Sequence, residues 1–140
     1  MNIKDDIVDK QIRTESFDGL LDDLIREIEA LNYRVTRINH IDNAYERREA
    51  GIDVTIAFKR YKIVEFCNLN SCSALISADL GAGVFMPVRF IVYQENDETK
   101  PHIAFLKPTA FARLFGSKPL LSVATQIEKD MNSVLEEVGY

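Results

Sequence analysis

The stretch Val84-Phe85-Met86-Pro87-Val88-Arg89-Phe90-Ile91-Val92-Tyr93 decides how this chain is read. Val84, Met86, Val88, Phe90 and Val92 place an apolar side chain at every second position, the period of a strand with one face on a core. Arg89 and Tyr93 share its other face. Glu95 to Lys100 is a polar turn, and Pro101 leads into a second apolar run from His102 to Leu106. The two runs predict an antiparallel hairpin.

Upstream of the hairpin, Tyr61 to Phe66 reads as a central strand entered through a turn at Lys59-Arg60. Val54, Ile56 and Phe58 alternate as a further strand, and Tyr33 to Ile38 reads as another. Between them a short helix over Ile41, Ala44, Tyr45 and Arg48 is expected, capped by Asn39 and closed by Gly51. Ile3 to Thr14 suits an exposed strand.

Helical spacing takes over elsewhere. Phe17, Leu20, Leu21, Leu24, Ile25, Ile28 and Leu31 recur at three and four residues, which lays an amphipathic helix on a core. Ser16 is placed to cap it, Asp18 to favour its positive end and Asn32 to end it in the left-handed conformation. Residues 70 to 79 form a second helix, with Gly81 and Gly83 closing it. Pro108-Thr109 opens a short one that Gly116 ends. Ser117 and Pro119 start the last, whose stripe runs from Leu120 through Ile127 and Met131 to Val138, with Gly139 as its stop. Amphipathic helices bracketing strands joined as hairpins predict an α+β fold, a mainly antiparallel sheet with the helices packed on one face. No linker, repeat or low-complexity tract divides the chain, so residues 1–140 read as one domain.

The bulk chemistry agrees. A chain of 140 residues, 46% hydrophobic and 28% charged, buries roughly two thirds of its unfolded surface. Its net charge of −5 repels phosphate backbones and anionic lipid, which argues against nucleic-acid and membrane partners. The basic cluster Arg47, Arg48, Lys59, Arg60 and Lys62 reads as solvated charge around a turn. The opening residues contain no signal-peptide core and no run approaches the ~18 residues of a spanning helix. A cytoplasmic location follows as an expectation, with Cys67 and Cys72 as reduced thiols.

No phosphate loop, dinucleotide-binding glycine pattern, nucleophile elbow, HExxH or zinc pattern occurs. Gly81-Ala82-Gly83 precedes a strand and reads as a turn. No cofactor, metal or catalytic residue is therefore nominated. The chemistry concentrates at Cys67-Asn68, where an apolar strand meets a helix. A thiol facing a helix N-terminus has a lowered pKa and serves as a nucleophile or sulfur carrier. Equally, Cys67 is a small core residue and Asn68 a helix cap, the reading we favour. Cys72 lies one turn further on among apolar neighbours, and the CxxxxC spacing differs from the CxxC redox motif. His40, at a strand-to-helix junction, pairs either locally or with Cys67 as a base. His102, at a strand start, is expected to be exposed, and the scattered carboxylates suggest no acid–base pair.

From Tyr61 to Tyr93 the chain resembles the family catalogued as domain of unknown function 302. The likeness rests on Tyr61-Lys62-Ile63, Cys67-Asn68-Leu69, Asp79, Gly83-Val84-Phe85-Met86-Pro87-Val88 and Val92-Tyr93. Leu69 stands where the family usually has proline, Cys72 where it has alanine, and Val88 where it has a second cysteine. Were the family's two cysteines to act together, Val88 removes one of them here, and Cys72 replaces it only with local rearrangement. The resemblance implies a small α+β fold that commonly forms dimers and supplies no reaction. Two functions are carried forward. The first is a non-enzymatic, homodimeric domain that binds a small molecule or a protein near Cys67, Asn68 and His40. The second is a thiol-dependent redox or sulfur-carrier protein using Cys67.

Overall fold

A computed structural model describes residues 2–43, 48–51 and 57–139. The chain opens with a 3-10 helix, Ile3–Asp6, and then alternates strands and helices. The strands are β1 (Ile7–Gln11), β2 (Arg34–His40), β3 (Phe58–Cys67), β4 (Val88–Glu95) and β5 (His102–Leu106); the helices are α1 (Phe17–Ala30), α2 (Leu69–Ala78), α3 (Pro108–Phe115) and α4 (Lys118–Val138). The strands form one sheet in the order β1-β5-β4-β3-β2, and every neighbouring pair runs antiparallel. The expected α+β class and the hairpin of β4 and β5 are what the chain adopts. The helix around Ala44 and Tyr45, the strand positions Val54 and Ile56, and Arg47 lie outside the described residues.

Local chemistry sets the helix ends. The Ser16 hydroxyl accepts the Gly19 amide at 3.1 Å, taking one of the donors a helix N-terminus leaves unpaired. Asn32 ends α1 at φ 66°, a left-handed conformation that asparagine tolerates well. Phe17, Leu20, Leu24 and Ile28 are the buried stripe of α1. Ser117 caps α4 through the Leu120 amide at 3.3 Å, and α4 carries the main apolar stripe, from Leu120 to Val138. The other three helices all pack against α4.

Two expectations are corrected. The long strand from Val84 starts only at Val88; Leu80–Phe85 is a 3-10 helix. Pro87 has no N–H to give a ladder, so pairing begins after it. Lys59 and Arg60 lie within β3 instead of marking a turn. A register shift between Phe58 and Arg60 accommodates the pair. The Arg60 guanidinium sits 4.3 Å over the Phe17 ring and 2.7 Å from Asp18, so α1 supplies the contacts that keep this cation in the sheet.

The core alternates as the sequence period requires. Val64 and Phe66 on β3, Phe90 and Val92 on β4, and Ile103 and Phe105 on β5 face the helices and are buried. Phe90 stacks on Phe66 at 5.2 Å and meets Phe105 edge-on at 5.3 Å between ring centroids. No helix among the described residues is long and apolar enough to cross a membrane.

Candidate functional site

Cys67 ends β3 and Asn68 caps α2, its side-chain oxygen accepting the Asn70 and Ser71 amides at 3.0 and 3.2 Å. The same side chain donates to the Asn32 carbonyl at 2.9 Å, tying the ends of α1 and α2 together. The expectation of two reduced thiols meets a different arrangement: Cys67 and Cys72 form a disulfide. The strand-to-helix turn folds back on itself and leaves the two Cα atoms 6.4 Å apart, inside the usual range for a bridge. Cys67 remains partly exposed while Cys72 is buried.

His40 does not join them. In the β2–β3 ladder Arg34 is opposite Cys67 and His40 is opposite Lys62, five residues and therefore about 17 Å along the strand. It has no part as a base for Cys67. Val88, the position of the second family cysteine, pairs with Phe66 in the core.

The larger assembly of polar and aromatic groups lies on the face of the sheet away from the helices. Strand alternation turns Tyr61, Ile63 and Glu65 outward from β3, Arg89, Ile91, Tyr93 and Glu95 from β4, and His102 from β5. Register sets these side by side: Tyr61 with Tyr93, Ile63 with Ile91, Glu65 with Arg89, and Tyr93 with His102. The result is a row of rings across three strands. Phe58 and Tyr61 are 5.3 Å apart, Tyr61 stacks on Tyr93 at 5.8 Å, and Tyr93 on His102 at 4.7 Å.

His102 is half-buried, against expectation. Its Nδ1 lies 2.9 Å from Asp9 on β1 and its Nε2 2.9 Å from Glu98 in the β4–β5 turn. Burial pushes its pKa down, but the hydrogen bonds and charges of Glu98 and Asp9 outweigh that and hold it above the ordinary value. The Tyr93 hydroxyl donates to the other Asp9 oxygen; burial, that hydrogen bond and the Asp9 charge all raise the phenol's pKa. Glu95 is raised chiefly by a hydrogen bond and charge from Glu98, which is itself lowered, first by its hydrogen bond to His102. This end of the face therefore holds Asp9, Glu95 and Glu98 against one histidine. At the other end Arg89 and Glu65 approach within 3.7 Å, and Arg37 is opposite Glu65 in the ladder, so cations prevail there.

The sequence pattern shows Arg89 and Tyr93 on one face. It does not show Asp9 meeting His102, because the two are 93 residues apart and only the register of β1 on β5 joins them; Glu98 reaches the same ring from the β4–β5 turn. The basic cluster is also resolved: Lys62 lies 2.6 Å and Arg60 3.4 Å from Asp42, so both cations are engaged within the chain. Among the described residues no group of three or more histidine, cysteine or acidic side chains is arranged to hold a metal ion.

Comparison with known proteins places this geometry in a family. No curated protein matches the chain. A crystal structure of an uncharacterized conserved protein of the DUF302 family from Bacillus stearothermophilus shares the fold, with a TM-score of 0.82 over 95% of this chain and 98% of that one, at 22% sequence identity. The model of the family described as domain of unknown function DUF302 matches residues 9–138, and the chain belongs to that family.

Proposed function

We propose that this protein is a non-enzymatic, cytoplasmic, homodimeric binding domain, and that two copies meet through the outer face of the sheet. The observation that carries this reading is the self-complementarity of that face. Its middle is apolar and aromatic, formed by Tyr61, Ile63, Ile91 and Tyr93, all only partly covered. Arg89 borders one end; Glu95, Glu98 and Asp9 border the other. Two sheets stacked face to face about an axis along the strands set like charges together. An axis between the sheets and across the strands near Val92 sets Arg89 of each copy against Glu95 of the other. Charge thus selects one of the two alignments. The raised pKa of Glu95, caused by Glu98 beside it, marks negative charge that a partner's arginine would relieve.

Light scattering and sedimentation are expected to give the mass of a dimer. Arg89→Glu is expected to weaken association at least tenfold, since it opposes two carboxylates across the interface. The double variant Arg89→Glu, Glu95→Arg restores the pairing in mirrored form and should recover most of the loss. A monomeric wild type, or a double variant no better than the single one, excludes this interface.

The disulfide favours a second reading, a thiol–disulfide protein. A substrate thiolate would attack Sγ of the more exposed Cys67, and Cys72 would leave as a thiolate in the first turns of α2. A second substrate thiol would then displace Cys67, so that the substrate is oxidised to a disulfide and the protein takes up two electrons and two protons. A small-molecule disulfide would reoxidise the pair. Equilibration against a graded dithiol buffer followed by thiol alkylation separates the readings. Full, reversible two-electron reduction of the native protein supports exchange, whereas a bridge reducible only after unfolding makes it structural.

A further inference from the structure

We propose that the apolar groove around Phe85 binds a slender aliphatic carboxylate, with its tail in the groove and its headgroup on Arg89. Two adjoining depressions of about 180 and 170 Å3 share Phe85, Leu106 and Phe111 as their common wall. Together they reach the lower end of the ~300–1,000 Å3 of small-molecule sites. Phe85 is held in place by stacking on Phe111 at 4.8 Å and by an edge contact with Phe115 at 5.9 Å. The rim is unusually apolar for a surface: Ile3, Val84 and Leu114 are 62%, 80% and 73% exposed. Large apolar side chains left in water around a preformed groove are a standing gain for any ligand that covers them.

The polar groups identify the headgroup. In the second depression the sole charged lining residue among those described is Asp6, whose carboxylate is already taken by Arg113 at 2.9 Å. In the first it is Arg89. Among the described residues its guanidinium donates to the Pro87 carbonyl at 3.2 Å and otherwise has only the 3.7 Å approach of Glu65. A guanidinium carries five N–H donors in a planar fork suited to a carboxylate, so donors remain. The two depressions join along one apolar wall and carry Arg89 at the first of them, which suits an alkyl chain of about ten carbons ending in a carboxylate. The groove lies off the apolar centre of the sheet face, but its headgroup residue Arg89 is also the one that meets Glu95 of the other copy in the proposed dimer, so a bound carboxylate competes with that contact.

Calorimetric titration of the full chain with decanoate, kept below its micellar concentration, is expected to show saturable binding of one molecule per chain. Octanoate, shorter by two methylenes, should bind about fifteenfold more weakly, at ~0.8 kcal/mol per buried methylene. Arg89→Gln should weaken decanoate about tenfold, and decyltrimethylammonium should fail to compete. Leu114→Glu, at an exposed position that leaves the core untouched, should weaken it at least tenfold. Sedimentation of Leu114→Glu, whose substitution lies on a helix and off the outer sheet face, should give the wild-type mass while its decanoate binding falls, so that failure of the dimer and failure of the groove are told apart. Absence of saturable binding, equal affinity for the cationic amphiphile, or indifference to Leu114→Glu would overturn the proposal.

Discussion

Replacing Phe90 with alanine is expected to destabilise the protein by about 3–5 kcal/mol, read as a drop in the urea midpoint without a change in slope. Phe90 is fully buried at the centre of the sheet's inner face. Its ring touches Phe66 by stacking and Phe105 by an edge contact. Truncation loses the transfer free energy of the ring and leaves a hole between three strands, which a hydrogen-bonded sheet closes only in part. Since a domain of this size is held by ~5–15 kcal/mol in total, the variant should unfold at a much lower denaturant concentration. Phe90→Leu, which keeps most of the volume, should cost less than half as much. Equal losses for the two variants would show that Phe90 does not occupy the packed centre described here.

Stability against pH is expected to be limited on each side by a different residue. On the acid side the residue is Asp42, whose side chain is 5% exposed and lies 2.6 Å from the Lys62 ammonium and 2.8 Å from the Tyr61 amide. Burial raises its pKa, but the hydrogen bonds from Lys62 and Tyr61 and the charges of Lys62 and Arg60 bring it below the ordinary 3.8. A carboxylate with a depressed folded pKa contributes stability that is complete above its unfolded value and is lost as pH falls through the folded one. Asp42→Asn should therefore cost about 2–4 kcal/mol near neutral pH, because Lys62 is left nearly buried without its charge partner. That cost should shrink as pH falls from the ordinary 3.8 through the still lower folded pKa, where wild-type Asp42 loses its charge too.

On the alkaline side the residue is His102. Its folded pKa lies above the ordinary 6.5, so its ion pairs with Asp9 and Glu98 stabilise fully below that value and fade as pH rises through the folded pKa. His102→Gln should flatten this limb and leave the acid one intact. Urea midpoints measured from acid to alkaline pH for wild type and both variants test the two assignments. A Asp42→Asn profile parallel to wild type through the acid range, or an alkaline limb unaffected by His102→Gln, would place the titrating groups elsewhere.

Local chain chemistry accounts for much of this molecule. Periodicity of two in Val88–Val92 and of three to four in α1 and α4 sorts each side chain to core or solvent, and capping by Ser16, Asn68 and Ser117 needs only neighbours three residues away. The class of fold follows, since one-faced strands and one-faced helices must cover each other. The start of β4 was also legible in principle, because Pro87 cannot donate to a ladder wherever it stands.

What register and packing decide is a different set of facts. Arg60 sits within β3 with Asp18 and the Phe17 ring brought to it by α1 and Asp42 from beyond β2. His102 is half-buried only because β1, 93 residues earlier at Asp9, pairs with β5. His40 and Cys67 sit at opposite ends of the same ladder although both flank strand ends in the sequence, and Cys72 reaches Cys67 because a capped helix turns back on its strand. Hydrophobic period is a property of each segment by itself, whereas charge pairing, ring stacking and grooves need two segments at a fixed offset. Only long-range contacts supply that offset, so the sheet face and the groove at Phe85 became visible with the tertiary structure and not before.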